Sequence, residues 1–211
     1  MFTGIVAARG RIEKVESLAG SGNDGAAGLR LTIAAAELGV DDLGIGDSVA
    51  IQGACMTAIA VRDNSFVVEI SAESLSKTVG LDRPGEVNLE KAMRLSDRVG
   101  GHLVTGHVDG LGEVVRFEPV GESWALEIGV APALARYFAY KGSAGVNGVS
   151  LTVNNVEDRA EGTVFSINLI PHTMAVTTLG ALKVGDRVNL EVDLMARYVE
   201  RMLGQVQLPG R

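Results

Sequence analysis

Two stretches, Gln52-Gly53-Ala54-Cys55-Met56-Thr57 and Asn147-Gly148-Val149-Ser150-Leu151-Thr152, read as one six-residue word written twice, 95 residues apart. In each, a glycine-containing turn precedes a cysteine or serine, and a threonine follows two residues later. Two more words recur in the same order. Thr3-Gly4-Ile5-Val6 returns as Thr105-Gly106-His107-Val108 after 102 residues, and Val87-Asn88-Leu89-Glu90 returns unchanged as Val188-Asn189-Leu190-Glu191 after 101. Three words that keep both order and spacing define a duplicated unit of about 100 residues, a common domain size, and two copies are too few for a solenoid.

Between these words the chain is punctuated by 27 glycines in 211 residues, nearly twice the usual ~7%. They bound short runs rich in Val, Ile, Leu and Thr. In the first copy the runs predict strands over Ile5–Val15, Leu29–Ala34, Asp47–Ile51, Met56–Arg62 and Ser65–Ile70. About six strands and at most one short helix per copy point to an all-β unit, a small antiparallel barrel or sandwich. The division falls near Asp97 to Gly101, giving units over 1–97 and 98–192. Helical spacing is confined to Ala131–Tyr140, with Pro132 in its first turn, and to the C-terminus. There Leu194, Met195, Tyr198, Val199, Met202 and Leu203 form one apolar stripe between Asp193 as cap and Gly204 as stop. That helix, over 193–204, packs either on its own barrel or in an oligomer interface, and 205–211 reads as a flexible tail. Gly20 to Gly28 lacks the Lys-Ser/Thr ending of a phosphate loop and reads as a flexible hairpin.

Composition removes several function classes. The chain has 26 acidic against 19 basic residues, a formal charge of −7, and only 4% aromatics, which offers neither a phosphate footprint nor a base-stacking platform for nucleic acid. A single cysteine excludes an intrachain disulfide and thiolate-rich zinc sites, and suits a reducing, cytoplasmic setting. No uncharged run reaches the roughly 20 residues a bilayer requires, so no membrane association is expected. His102 and His107 stand five residues apart, and on a strand that odd offset sends the rings to opposite faces, against a shared metal. Cys55 alone reads as a small buried hydrophobe. Its pairing with Ser150 across the duplication instead suggests two copies of one binding site that have diverged.

These words together resemble the riboflavin synthase family of the two-barrel, homotrimeric type. The resemblance covers Met1 to about Leu203 and includes Met1-Phe2-Thr3-Gly4-Ile5-Val6, both repeated words, Gly100 to Asp109 and Leu169 to Glu191. It implies two tandem six-stranded antiparallel Greek-key barrels and a C-terminal helix joining three subunits. The implied reaction is the dismutation of two 6,7-dimethyl-8-ribityllumazine molecules into riboflavin and 5-amino-6-ribitylaminouracil, with neither cofactor nor metal. The site would form between the N-terminal barrel of one subunit and the C-terminal barrel of the next. An association with lumazine synthase is a further partner the resemblance raises.

By motif match, Gly4, Ile5, Val6, Ser48, Ala54, Cys55, Met56, Glu69, Ile70, Ser71, Ala72, Glu73 and Ser74 would line the first substrate pocket. Gly106, His107, Val108, Lys141, Ser150, Leu151, Thr152, Leu169, Ile170, Pro171, His172, Thr173 and Met174 would line the second. The catalytic candidates are His102 as base for the C7 methyl, Cys55 and Ser150 at the transient adduct, Asp193 as stabiliser or proton relay, and Ser48. The first repeat departs from the family at Gln52, Met56 and Ala58, where Asn, Leu and Val are usual. A non-catalytic lumazine or flavin carrier with the same barrels is the alternative. It tends to lose polar positions in its second repeat, whereas His102, His107, Ser150, Thr152 and Asp193 are all present here.

Overall fold

The computed structural model describes residues 1–18, 28–159 and 162–203. The stretch expected to form a hairpin therefore lies, but for Gly28, outside the described residues, as do Gly204 and the tail 205–211. The first repeat supplies β1 (Ala8–Ser17), β2 (Leu29–Ala34), β3 (Ser48–Ile51), β4 (Ala54–Arg62), β5 (Ser65–Ile70) and β6 (Gly85–Lys91). The second supplies β7 (Gly110–Val120), β8 (Ser123–Val130), β9 (Ser143–Val146), β10 (Val149–Arg159), β11 (Gly162–Leu169) and β12 (Arg187–Val192). Each set closes into an antiparallel barrel with the same cyclic order, β1-β2-β5-β4-β3-β6 and its counterpart β7-β8-β11-β10-β9-β12. Even the register shifts correspond: Ile12/Lys14 matches Val114/Arg116, and Ala58/Ala60 matches Val153/Asn155.

Alternation decides which residues enter each barrel. Ile12, Leu31, Ile33, Val49, Ile51, Phe66, Val68, Val87 and Leu89 are fully buried in the first core. Val114, Leu126, Ile128, Val146, Val153, Phe165, Leu169, Val188 and Leu190 fill the second. The decisive word is a two-residue hairpin in both copies. Gln52 and Gly53 have φ of 50° and 88°, and Asn147 and Gly148 have 49° and 81°, the paired positive values of a type I′ turn. The two turns meet tip to tip, where a Cβ on Gly53 would lie 2.6 Å from the Gly148 amide nitrogen. Only glycine fits there, on both grounds.

Among the described residues four short α-helices decorate the barrels: α1 (Ala72–Lys77), α2 (Pro132–Ala135), α3 (Pro171–Val176) and α4 (Leu194–Leu203). α1 and α3 were not expected from the sequence, because single turns leave too little periodicity to read. Their starts are nevertheless marked, by the Ser71 hydroxyl accepting from the Ser74 amide and by Pro171 in the first turn of α3. With α2 and α3 the second copy exceeds the expected single helix. α2 is also shorter than the expected 131–140: beyond Ala135 the backbone bonds span three residues, as in Phe138 N–H to Ala135 O. That tighter winding brings Phe138 into the core, stacked on Phe165 at 4.4 Å.

β1 begins at Ala8 rather than Ile5 because residues 1–7 leave their own barrel. They form a strap that meets residues 101–109, a second strap ahead of β7. Phe2 and Val104 pair in an isolated antiparallel bridge, with N–H to O distances of 2.7 and 3.0 Å, and both side chains are buried. The straps then exchange barrels. Val6 packs against the second core and Val108 against the first.

Candidate functional site

A cleft of about 610 Å³ opens on the first barrel. Its floor is Ala54, Cys55, Met56, Thr57 and Ile59 of β4, and one wall is the end of β5 with α1, from Glu69 through Ser71, Glu73 and Ser74 to Lys77 and Thr78. The other wall comes from the second repeat: Gly106, His107 and Val108. The Cys55 amide donates to the Gly106 carbonyl at 2.8 Å. A Cβ on Gly106 would lie 2.6 Å from that of Cys55, so glycine is required for the strap to lie against the strand. The thiol of Cys55 is half-buried at the cleft floor. Glu69 is paired with Arg30 at 2.6 Å at the outer edge.

The same arrangement recurs at the second barrel with the first strap. The Ser150 amide donates to the Gly4 carbonyl at 2.7 Å, and a Cβ on Gly4 would lie 2.6 Å from that of Ser150. Ser150 and Thr152 on β10 correspond to Cys55 and Thr57 on β4. Ile170 is exposed after β11, Pro171, His172, Thr173 and Met174 form α3, and Met174 packs on the second core. Leu151 and Leu169 are core residues. Lys141, at φ 63°, extends its ammonium to Asn154 Oδ1 at 3.1 Å.

The pocket membership expected from the sequence is therefore corrected. Gly4, Ile5 and Val6 belong with Ser150, not Cys55, and Gly106, His107 and Val108 belong with Cys55, not Ser150, because the straps cross. Ser48 also parts from Cys55. It lines a separate groove of about 670 Å³ with Thr3, Ile5, Asp42, Lys91 and Arg94. The histidines do separate, but on an extended strap rather than a strand: His107 faces the first cleft, and His102 lies beside Ser150 of the second barrel.

His102 Nδ1 stands 2.7 Å from Ser150 Oγ. Its Nε2 is buried and has no partner among the described residues. Burial lowers the imidazole's pKa below its ordinary 6.5, opposed by the nearby Asp193 carboxylate, so the ring is neutral at pH 7. A neutral imidazole has one donor and one acceptor nitrogen, and the Ser150 hydroxyl can meet either at Nδ1. Asp193 itself caps α4, accepting from the Met195 amide at 2.9 Å. Sequence reasoning missed Thr57, Ile59, Lys77 and Thr78 in the first cleft, although Thr57 ends the repeated word. It also assigned no role to the glutamates that end Val87–Glu90 and Val188–Glu191.

Two tandem barrels, each setting its repeated word against the opposite repeat's strap, define a tandem lumazine-binding-repeat protein. The lumazine binding domain model matches residues 3–92 and 105–193. The chain is 42% identical to riboflavin synthase of Photobacterium phosphoreum over 205 residues, covering 96% of this chain and 89% of that one. It is 44% identical to riboflavin synthase of Mycobacterium tuberculosis strain H37Rv over 207 residues, covering 96% and 98%. Among solved structures, LumP complexed with riboflavin superposes with a TM-score of 0.75 at 25% identity, over 91% of this chain and 99% of that one. The chain belongs to the riboflavin synthase family.

Proposed function

We propose that the chain catalyses the riboflavin synthase reaction: two molecules of 6,7-dimethyl-8-ribityllumazine exchange a four-carbon unit and leave as riboflavin and 5-amino-6-ribitylaminouracil, the last step of riboflavin biosynthesis. The observation that carries this reading is the duplicated strand-and-strap arrangement, with Cys55 in one copy and Ser150 in the other. Donor and acceptor are the same compound, so the reaction calls for two related pockets that treat it differently and for no added cofactor. The divergence supplies that difference. At the second barrel, His102 and Ser150, whose Nδ1 and Oγ stand 2.7 Å apart, form the pair that takes up the proton of the C7 methyl. At the first, Cys55 or a water it holds adds at C7 of the acceptor. Holding two substrates in register contributes an entropic advantage that reaches ~7–11 kcal/mol in well-oriented systems.

The complete site forms between the first barrel of one subunit and the second barrel of another. Support for a homotrimer comes from α4. Its stripe of Met195, Tyr198, Val199, Met202 and Leu203 is exposed, at 50–70% of each residue's surface. Its polar face instead holds the barrel, through Arg197 to Asp109 at 2.8 Å and Glu200 to Arg136 and Tyr137 at 3.1 and 3.0 Å. A cytoplasmic setting suits the single free thiol. An association with lumazine synthase would pass the lumazine directly to these clefts.

Incubation of the purified protein with 6,7-dimethyl-8-ribityllumazine alone tests the reading. Equal amounts of riboflavin and the pyrimidinedione are expected. Binding without turnover would identify a carrier instead. Cys55→Ala and His102→Gln are expected to lower kcat more than they weaken substrate binding, and unchanged turnover removes the residue from its role.

A further inference from the structure

The unchanged word Val87–Glu90 and Val188–Glu191 ends in two buried glutamates whose carboxylates, among the described residues, make their hydrogen bonds to the straps. Glu90 Oε1 accepts from the Thr3 amide at 2.7 Å and its hydroxyl at 2.8 Å, and Oε2 accepts from the Gly4 amide at 3.0 Å. Glu191 repeats the pattern on Thr105, at 2.6 and 2.7 Å, and on Gly106 at 2.9 Å. Each threonine hydroxyl in turn accepts from the amide two residues on, Ile5 at 3.2 Å and His107 at 3.3 Å. A glutamate thus fixes four consecutive polar groups of its strap, and the glycine it fixes presents its carbonyl to the opposite barrel's Cys55 or Ser150.

We infer that Glu191 and Glu90 are positioning residues acting across the molecule: Glu191, on the second barrel, sets the wall of the first barrel's cleft, and Glu90, on the first barrel, sets the strap that lies against Ser150 of the second. The inference rests on the clefts being the ligand sites proposed above. Both carboxylate oxygens act as acceptors toward three donors, a demand that neither glutamine nor a hydroxyl meets. Burial raises the pKa of both carboxyls, and the strap donors oppose that rise. A buried carboxylate held for fit alone would disturb its own barrel when altered. One held for the strap disturbs the other barrel's ligand.

That crossing is measurable, because Cys55 is the chain's only cysteine and its alkylation by iodoacetamide reports the first cleft alone. Riboflavin is the probe. In Glu191→Gln the riboflavin concentration giving half-protection of Cys55 is expected to rise about tenfold, and in Glu90→Gln to stay within about twofold, a difference of roughly 1 kcal/mol in binding. Equilibrium dialysis counts the remaining riboflavin, bound at the second cleft, where the order reverses. Thr105→Val, which removes the hydroxyl link, reproduces Glu191→Gln at the first cleft, and Thr105→Ser restores protection; this pair carries the test if Glu191→Gln fails to fold. Equal shifts in both glutamate variants, or none, overturn the inference while leaving the ligand reading intact. Failure of riboflavin to protect Cys55 in the unaltered protein overturns the ligand reading, and the inference with it.

Discussion

Gly106 holds φ at +79° with no space for a side chain between its Cα and Cys55. Gly106→Ala therefore combines left-handed strain with overpacking, together about 2–5 kcal/mol. Gly46, at φ +98° with open space around it, carries strain alone, so Gly46→Ala costs about 1–2 kcal/mol. Urea midpoints of the two variants should differ in that order. At the same scale, Glu90 and Glu191 titrate above their ordinary 4.5 because burial disfavours the charged form. Between 4.5 and those raised values the folded chain binds more protons than the unfolded, so these two groups make stability fall as pH rises. His102, lowered from 6.5 by burial, acts oppositely, its contribution growing as pH climbs toward 6.5. Denaturation measured from pH 4.5 upward should show a shallower fall in Glu90→Gln than in the unaltered protein.

Among the elements, α4 inverts the usual arrangement of an amphipathic helix. The spacing of its apolar residues was legible in the sequence, but both packings fitted it. Arg197 and Glu200, which face away from the stripe, find Asp109, Arg136 and Tyr137 on the barrel, and those partners are far away in sequence. The stripe is left outward. If the chain forms the trimer proposed above, removing residues 194–211 should leave both barrels folded and give monomers by light scattering; a truncated chain that was trimeric would place the interface elsewhere. The straps tell a similar story. The first repeat's pattern predicts a strand from Ile5, yet Phe2 and Val104 pair with each other, and each strap gives its valine to the other barrel's core.

At the scale of the molecule, the two barrels are fused by a polar network at the meeting turns. Asn88 donates through Nδ2 to the Asn147 carbonyl at 2.9 Å and accepts from the Thr178 amide at 2.8 Å. Asn189 mirrors it, donating to the Gln52 carbonyl at 3.0 Å and accepting from the Val79 amide at 2.7 Å. The departure at Gln52 keeps its counterpart's bond to the following asparagine's amide and adds contacts to Thr178 at 3.3 Å. Because each asparagine ties one barrel to the other, calorimetry should give a single transition. Asn88→Ala with Asn189→Ala leaves buried donors and acceptors unpaired, at about 1–3 kcal/mol for each lost pairing, and should split unfolding into two steps.

The sequence by itself determined the duplication, the all-β class, the Cys55/Ser150 correspondence and the amphipathic tail, because repeated words and two-residue alternation are local patterns. It did not determine which strap serves which cleft, where Ser48 lies, which face of α4 is free, or why the glutamates of the repeated word are there. Those depend on groups far apart in sequence meeting across the molecule, and the hydrogen bonds that select among them exist only once both barrels are closed and packed.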